Sequence, residues 1–274
     1  SLARESDWWR ALPRAYGGQL VGHCIVAAAR QAPREWTCHS VHAHFVSAGR
    51  MLDTRYQVEP LRVGRTFALF QVHAREPDGT LVVAATVSFH DVKGERGKGA
   101  PALSMAPAPA AVQTPPALPP PPPSDEEAAG GNIWPARRRL RADGTLWWLG
   151  WPYPTDIGSI EQYAALAFLT EGASGENAFP GVVSYAHRHA RRATMVNNVD
   201  HTIHFHTECT RPLTWVLVEL ESPWAADSRA IIRMRFWSPA GELLATAVQE
   251  MLIRTRSIVP KAADGGVSNP SAKL

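Results

Sequence analysis

Two stretches far apart in the chain read alike: Arg75-Glu-Pro-Asp-Gly-Thr-Leu-Val-Val-Ala-Ala-Thr86 and Trp237-Ser-Pro-Ala-Gly-Glu-Leu-Leu-Ala-Thr-Ala247. Each places a Pro-x-Gly turn between two runs rich in apolar and β-branched residues, which is the pattern of a β-hairpin. Working backwards from the first hairpin, alternating segments at 41–46, 55–61 and 66–73 read as strands, and 81–89 closes the set. Before them, Gly17 opens a helical stretch through Arg30. Leu20, Cys24, Ala27 and Ala28 recur at helical spacing, and Pro33 stops the run. The second hairpin has the same surroundings. A helix over 159–170 carries Ile160, Tyr163, Ala164 and Ala167 on one face, and strands follow at 199–206, 214–220, 230–236 and 243–251. The second half begins with Thr145-Leu-Trp-Trp-Leu149. The chain therefore holds an internal repeat of one helix followed by an antiparallel sheet.

A helix wrapped by a long antiparallel sheet is a hotdog unit. One unit alone leaves sheet edge and helix face uncovered, so two pack together. The expected fold class is α+β, a double hotdog in which two copies within one chain form a pseudo-dimer. The expected boundaries are an N-terminal hotdog over 1–93, a Pro/Ala-rich linker over 94–131, a C-terminal hotdog over 132–258 and a tail over 259–274. The linker contains Ala-Pro repeats and the run Pro119 to Pro123. Proline removes backbone donors and little apolar surface is present to bury, so such a segment stays extended and solvated.

Composition narrows the function classes. The chain has 274 residues, 45% hydrophobic and 19% charged, which is ordinary for globular proteins. No run approaches the length of a membrane-spanning helix. The N-terminal residues are charged and lack the apolar centre of a secretory signal. A net charge of +3 is too weak to indicate nucleic acid, though a positive surface suits an anionic carrier such as coenzyme A. Arg137, Arg138, Arg139 and Arg141 form the densest basic run, best read as a solvated strand or linker edge.

Cys24, Cys38 and Cys209 are odd in number and irregular in spacing, which argues against a disulfide framework or a zinc site. Histidines cluster at His39, His42 and His44 and again at His201, His204 and His206; in a strand His42 and His44 share one face, as do His204 and His206. No neighbouring carboxylate or cysteine completes a ligand set, so no metal is expected. His23, following Gly22 on the first helix, reads as a satisfied core histidine. Asn197 and Asn198 also admit a reading as turn residues entering a strand.

The segments Tyr16-Gly-Gly-Gln-Leu-Val-Gly22, Val41-His-Ala-His-Phe45, Ala85-Thr-Val-Ser-Phe-His90, Val199-Asp-His-Thr-Ile-His-Phe-His206 and Ala245-Thr-Ala-Val-Gln-Glu250 carry a family resemblance. In this order they resemble the acyl-CoA thioesterase II family, the double-hotdog thioesterases of bacteria and peroxisomes. The resemblance covers most of the chain outside linker and tail. Little precedes Gly17 where the family has a first strand, and Trp8 and Trp9 are read as its remnant.

The resemblance implies hydrolysis of acyl-CoA to free acid and coenzyme A, without a nucleophilic serine and without a cofactor. A carboxylate, a hydroxyl residue and a glutamine hold and polarise a water. That fits the chemistry, because water needs a positioned base and the developing oxyanion needs aimed donors. Carried onto this chain, the glutamine is Gln249 and the hydroxyl position is held by Asn198. The family's aspartate falls on Thr170, or on Glu171 with a shift of one residue. Glu171 is the first choice for the base, since a threonine cannot serve. Asp200 is the second choice, expected to share the strand face of Asn198 because the two are two residues apart. Without the resemblance, Gln249 reads as a buried strand glutamine bonded to backbone.

Three functions compete. A thioesterase, acting on a fatty or a specialised-metabolite acyl chain, predicts a groove between the halves lined by Trp, Phe and Leu; Trp147, Trp148, Trp151, Trp215 and Trp237 suit such walls, and core packing explains them just as well. A non-catalytic acyl-binding module is suggested by the altered site positions. A hydratase acting on enoyl-CoA would use Asp200-His201, but hydratases carry that pair on a helix and here it lies on a strand. The expected partners are an acyl-CoA and, through Ala272-Lys273-Leu274, the peroxisomal import receptor, since small-basic-leucine resembles the address it reads. A peroxisomal location and a homo-oligomer complete the expectations.

Overall fold

Between Gly17 and Ala29 the small and apolar residues Gly18, Leu20, Val21, Gly22, Cys24, Ile25 and Ala28 are buried, and the chain there forms helix α1 (Gly17–Ala29). The structure, a computed structural model, describes residues 15–50, 53–97, 137–139, 146–150, 158–172, 191–208 and 215–257. Four strands follow α1: β1 (Thr37–Phe45), β2 (Arg55–Val63), β3 (Phe67–Arg75) and β4 (Leu81–His90). The strands β3 and β4 bury alternate residues, as half-buried antiparallel strands do. The turn between them has Gly79 at φ +88°, a conformation glycine adopts without steric cost. A short helix α2 (Val92–Gly97) ends this half.

The second half repeats the order. After β5 (Arg137–Arg139) and β6 (Leu146–Gly150) come helix α3 (Ser159–Gly172) and strands β7 (Arg191–Phe205), β8 (Trp215–Ala226), β9 (Arg229–Trp237) and β10 (Leu243–Ser257). Gly241 takes φ +82° in the second hairpin, matching Gly79 in the first. The strand β7 starts at Arg191, well before the expected 199, because 191–198 pair with the last residues of β10. Asn197 and Asn198 therefore lie within a strand and not in a turn. The expected linker begins inside α2, and 98–131 lie outside the described residues, as do the tail over 259–274, Trp8, Trp9, Trp151 and Cys209.

The ten strands among the described residues belong to one antiparallel sheet in the order β2-β3-β4-β1-β7-β10-β9-β8-β6-β5. The sequence β2-β3-β4-β1 is mirrored by β7-β10-β9-β8, so the two hotdog units meet at β1 and β7. Their register is itself two-fold. Val41-His-Ala-His-Phe45 corresponds to His201-Thr-Ile-His-Phe205 in the repeat, and His42 pairs with its own counterpart, Thr202. The pseudo-dyad passes through that pair, where His42 Nδ1 lies 3.2 Å from Thr202 Oγ1.

The helices α1 and α3 lie against one another on the inner side of the sheet. Gly18 and Gly22 make this close: a β-carbon on Gly18 would sit 2.9 Å from the Ala167 carbonyl oxygen, and one on Gly22 2.8 Å from that of Ala164. Because Gly18 meets Ala167 while Gly22 meets Ala164, the helices run antiparallel. Tyr16 donates its hydroxyl to the Phe168 carbonyl over 3.1 Å and its ring packs on Phe168. One continuous core joins both halves through residues such as Ile25, Val41, Phe70, Val87, Tyr163, Leu166, Ile203, Phe236 and Ala247. Burying this much apolar surface is the main force holding the two units as one body.

Candidate active site

The start of α1 and the end of α3 meet because the helices are antiparallel, and this places Glu171 beside the first turn of α1. Tyr16, at the N-cap of α1, makes no side-chain capping bond. The Gly18 N–H instead donates to the Glu171 carboxylate, so the acid of one helix caps the other. A helix N-terminus favours an anion there. Burial acts the other way and is the larger effect: it lifts the Glu171 carboxyl to about 7, with the Gly18 N–H pulling it down. The other carboxylate oxygen, Oε1, accepts from Asn198 Nδ2 over 2.9 Å. An acid in this state holds or releases a proton near neutral pH, which is what a general base requires.

Asn198 reaches Glu171 because β7 carries a bulge. Glu250 pairs with Asp200, but the next residue of β10, Met251, pairs with Asn198, leaving Val199 as the extra residue. His201, Ile203 and Phe205 are buried, so the inner face carries odd positions before the bulge. Past it, the buried Met251 brings its partner Asn198 to the inner face as well. Asp200 is left on the opposite face, where its Oδ1 accepts the Glu250 backbone N–H over 3.0 Å. The expectation that Asn198 and Asp200 share a face rested on uninterrupted alternation, and the bulge breaks it.

Gln249 and His201 are fully buried and directly opposed on β10 and β7. The Gln249 amide nitrogen lies 3.0 Å from His201 Nε2 and 3.3 Å from Nδ1. Burial pushes the imidazole down to about 3, so the ring is neutral. Gln249 Oε1 and Asn198 Oδ1 are both buried without a hydrogen-bond partner among the described residues. Buried unpaired acceptors are costly and rare, and two on one sheet face mark a place for a polar guest.

The repeat shows that this polar pair is special to one half. In the N-terminal unit the equivalent cross-strand pair is Val41 and Val87, both fully buried. The pseudo-dimer therefore has one polar site and, at the symmetric position, plain core.

Thr170 is also fully buried, but its hydroxyl donates to the Ala167 carbonyl over 2.7 Å within its own helix. Trp148, Trp215 and Trp237 form a second, smaller cluster with Leu146 and Leu217, separate from the core that contains Ala247 and Met251. Those tryptophans pack strands together and do not line a groove at Gln249. His23 is exposed and meets the Tyr56 hydroxyl at 3.1 Å, so it is not a core residue. Cys24 and Cys38 are free and buried. On the outer face the His42 and His204 rings meet edge to face with centroids 5.5 Å apart. Among the described residues no three His, Cys, Asp or Glu side chains gather as metal ligands. No helix there is long and apolar enough to cross a membrane.

Two contacts at the site were not foreseen from sequence: Gly18 to Glu171 and His201 to Gln249. The second was within reach, since aligning the repeat sets His201 and Gln249 against two valines.

Comparison with known proteins gives a consistent picture. Residues 5–90 match the family model described as the acyl-CoA thioesterase N-terminal domain, and residues 102–253 match that of the C-terminal domain. Acyl-coenzyme A thioesterase 8 of Homo sapiens is 27% identical over 284 residues, spanning 95% of this chain and 87% of that protein. Acyl-CoA thioesterase 2 of Haemophilus influenzae is 28% identical over 269 residues, spanning 88% of each. Among solved structures, an acyl-CoA thioesterase II from Mycobacterium marinum superposes with a TM-score of 0.66 at 23% identity, covering 88% of this chain and 90% of that one. A hot dog fold protein from Alicyclobacillus acidocaldarius gives a TM-score of 0.66 at 19% identity, covering 88% of each. At such identities these two likenesses speak for the fold.

Proposed function

The chain belongs to the acyl-CoA thioesterase family, and from that premise we propose that it hydrolyses acyl-CoA thioesters through a water held by Glu171, Asn198 and Gln249. One observation carries the residue assignment. A carboxyl tuned to about 7 is bonded to Asn198, and the two amide oxygens on the adjoining sheet face lack partners. A water bound there donates one proton toward Glu171 and the other to an amide oxygen, which aims its lone pair at the thioester carbon.

The water oxygen attacks the carbonyl carbon as Glu171 takes a proton. Negative charge grows on the carbonyl oxygen, near the N-terminus of α1, whose dipole favours it. Collapse of the tetrahedral species breaks the C–S bond, and the proton held by Glu171 passes to the departing sulfur. The products are the free acid and coenzyme A thiol, and Glu171 is again ionised. No covalent enzyme intermediate forms. Asp200, bonded to the β10 backbone on the other face, and Thr170, bonded within α3, have no part in these steps.

Thiol release from butyryl-, decanoyl- and palmitoyl-CoA, followed with a thiol-reactive dye, tests this reading. Turnover that is lost in both Gln249→Ala and Glu171→Ala, and kept in Asp200→Ala, supports it. Binding of an acyl-CoA with no thiol release on any of the three would instead favour an acyl-binding protein.

The same proposal includes the location and assembly. Ala272-Lys273-Leu274 is proposed as the signal read by the peroxisomal import receptor. A fluorescent protein ending in these residues should collect in peroxisomes and disperse when Leu274 is removed. Among the described residues the sheet ends at β2 and β5, and pairing of such edges is the proposed route to a homo-oligomer. Light scattering on the full chain reads its mass directly.

A further inference from the structure

Phe45 is the last residue of β1, and the register of the sheet carries it to the site. His44 pairs with Asp200, so the next position, Phe45, stands beside the bulge at Val199 that turns Asn198 inward. Val41 and Ala43 are buried on the inner face, and alternation puts Phe45 on that face too. Gly17, in the first turn of α1, shows how near the ring comes to the base. A β-carbon on Gly17 would lie 2.7 Å from Phe45 Cε1 and 2.8 Å from Glu171 Oε1. The ring edge and the carboxylate oxygen thus flank the same bare stretch of backbone. Gly17 is buried while Phe45 is half-buried, so the ring has one edge on that backbone and another part toward water.

We propose that Phe45 is a positioning residue: its ring walls the Glu171 carboxyl off from bulk solvent, so that the carboxyl meets one held water rather than many. This deepens the functional reading above and rests on it. A carboxylate surrounded by free water is a weak base, and stripping that water away strengthens it toward the one that remains. Phenylalanine has no polar atom to offer, so its contribution here is exclusion alone. The groups bonded to the carboxyl from α1 and β7 are the Gly18 N–H and the Asn198 amide, both uncharged. Met251 stands opposite Asn198 on β10, and His201, the titratable group on the same face of β7, is buried and neutral. Burial is accordingly the leading cause that lifts the Glu171 carboxyl. The pseudo-dyad supplies the contrast. The counterpart of Phe45 is Phe205, which is buried against Tyr163 with ring centroids 4.9 Å apart, at the end of β7 and not beside Asn198. Phe45 takes no proton itself in this account; it acts through Glu171.

The test compares Phe45→Ala, Phe45→Leu and Phe205→Ala with the native full chain, using thiol release from the fastest of the three acyl-CoAs across the pH range of the acid limb. Alanine at position 45 opens the wall and admits water to the carboxyl. The acid limb of kcat/KM should then move to lower pH by about one unit, and the plateau kcat should fall roughly tenfold, because a better-solvated carboxylate is a weaker base. Leucine restores an apolar cover and should return the limb close to its native place with most of the rate. Phe205→Ala loses a ring of the same size from the core, so it should melt lower while its limb stays where it is in the native chain. A merely structural role for Phe45 predicts that Phe45→Ala behaves like Phe205→Ala. An unmoved limb in Phe45→Ala, an equal shift in Phe205→Ala, or no recovery in Phe45→Leu would each overturn the proposal. If Phe45→Ala does not fold, Phe45→Val takes its place and is read by the same limb. Native turnover in Glu171→Ala would sink the functional reading and this inference together, an outcome distinct from a native limb that is present but unmoved in the Phe45 variants.

Discussion

Asn198, in the middle of β7, donates from Nδ2 to Oε1 of Glu171 in the last turn of α3 over 2.9 Å. The bond ties the sheet to the helix pair at the place where α1 begins, and it leaves Asn198 Oδ1 as a free acceptor. A hydroxyl residue at this position would offer one oxygen for both tasks, whereas the asparagine divides them between two atoms. Asn198→Ala should therefore lower kcat about ten- to a hundredfold, because it removes an aimed acceptor and the bond that orients the base. Asn198→Ser keeps one hydroxyl and should lose less. Steady-state thiol release on the two variants decides the order.

The rate should rise with pH through about 7. Burial is the main cause that lifts Glu171 to about 7, and only its ionised form can take a proton from water. The limb of kcat/KM below neutrality should thus titrate as one group near 7 and level off above it. In Glu171→Gln that limb should vanish along with at least about a hundredfold of the rate. A pH–rate profile that stays flat from pH 5.5 to 8 in the native protein would remove Glu171 from the role of base.

Stability should respond to the same carboxyl in the opposite sense to activity. The folded value of about 7 lies above the ordinary 4.5, so the folded state holds a proton that the unfolded state has released between those values. Stability contributed by the protonated acid is full below about 4.5 and is lost as pH rises to about 7. Glu171→Gln, neutral throughout, should then be more stable than the native chain above pH 7, by on the order of 1–3 kcal/mol. His201 has the other sign. Its folded value of about 3 lies below 6.5, so stability falls as pH drops below 6.5. His201→Phe should flatten that acid limb. Thermal melting from pH 4 to 8 on the three proteins separates the two slopes.

Asp200 is the control that the bulge makes available. Its carboxylate accepts the Glu250 N–H where the register of β7 and β10 slips, on the face away from Glu171. Asp200→Ala should cost about 1 kcal/mol of stability through the lost bond. Its kcat should stay within about threefold of the native value. Loss of turnover in a folded Asp200→Ala would return this aspartate to the reaction.

The architecture was largely legible because it is written twice. Two Pro-x-Gly hairpins, each preceded by a helix and a run of strands, led to a paired hotdog, and β1 meets β7 on a pseudo-dyad. The site was legible only as a set of residue types. Strand alternation assigns a face to every second residue, and nothing about Val199 announces that it is the extra residue of a bulge. One inserted position then moved Asn198 inward and Asp200 outward. The end of α3 raised a similar difficulty. Thr170 and Glu171 are adjacent, and only the approach of α1 shows that Glu171 meets Gly18 while Thr170 bonds back into its helix. The tryptophans left packing and groove walls equally open, because broad apolar side chains serve both, and Trp148, Trp215 and Trp237 pack.

Gly18 joins fold and chemistry most tightly, and its replacement gives the sharpest structural prediction. A β-carbon there would stand 2.9 Å from the carbonyl oxygens of Ala167 and Phe168, which are backbone atoms and cannot swing aside. Gly18→Ala must push α1 away from α3, at a cost of about 1–3 kcal/mol from overpacking. Alanine is otherwise the better helix residue by about 1 kcal/mol, so any net loss measures the close approach. The same displacement weakens the bond from the residue-18 N–H to Glu171, whose opposition to burial is then lost. The carboxyl should rise further above 7, and the limb of the pH–rate profile should shift to higher pH together with the loss of stability. A Gly18→Ala protein that melts lower but keeps its pH profile would show that the helix contact supports the fold without setting the proton affinity of the base.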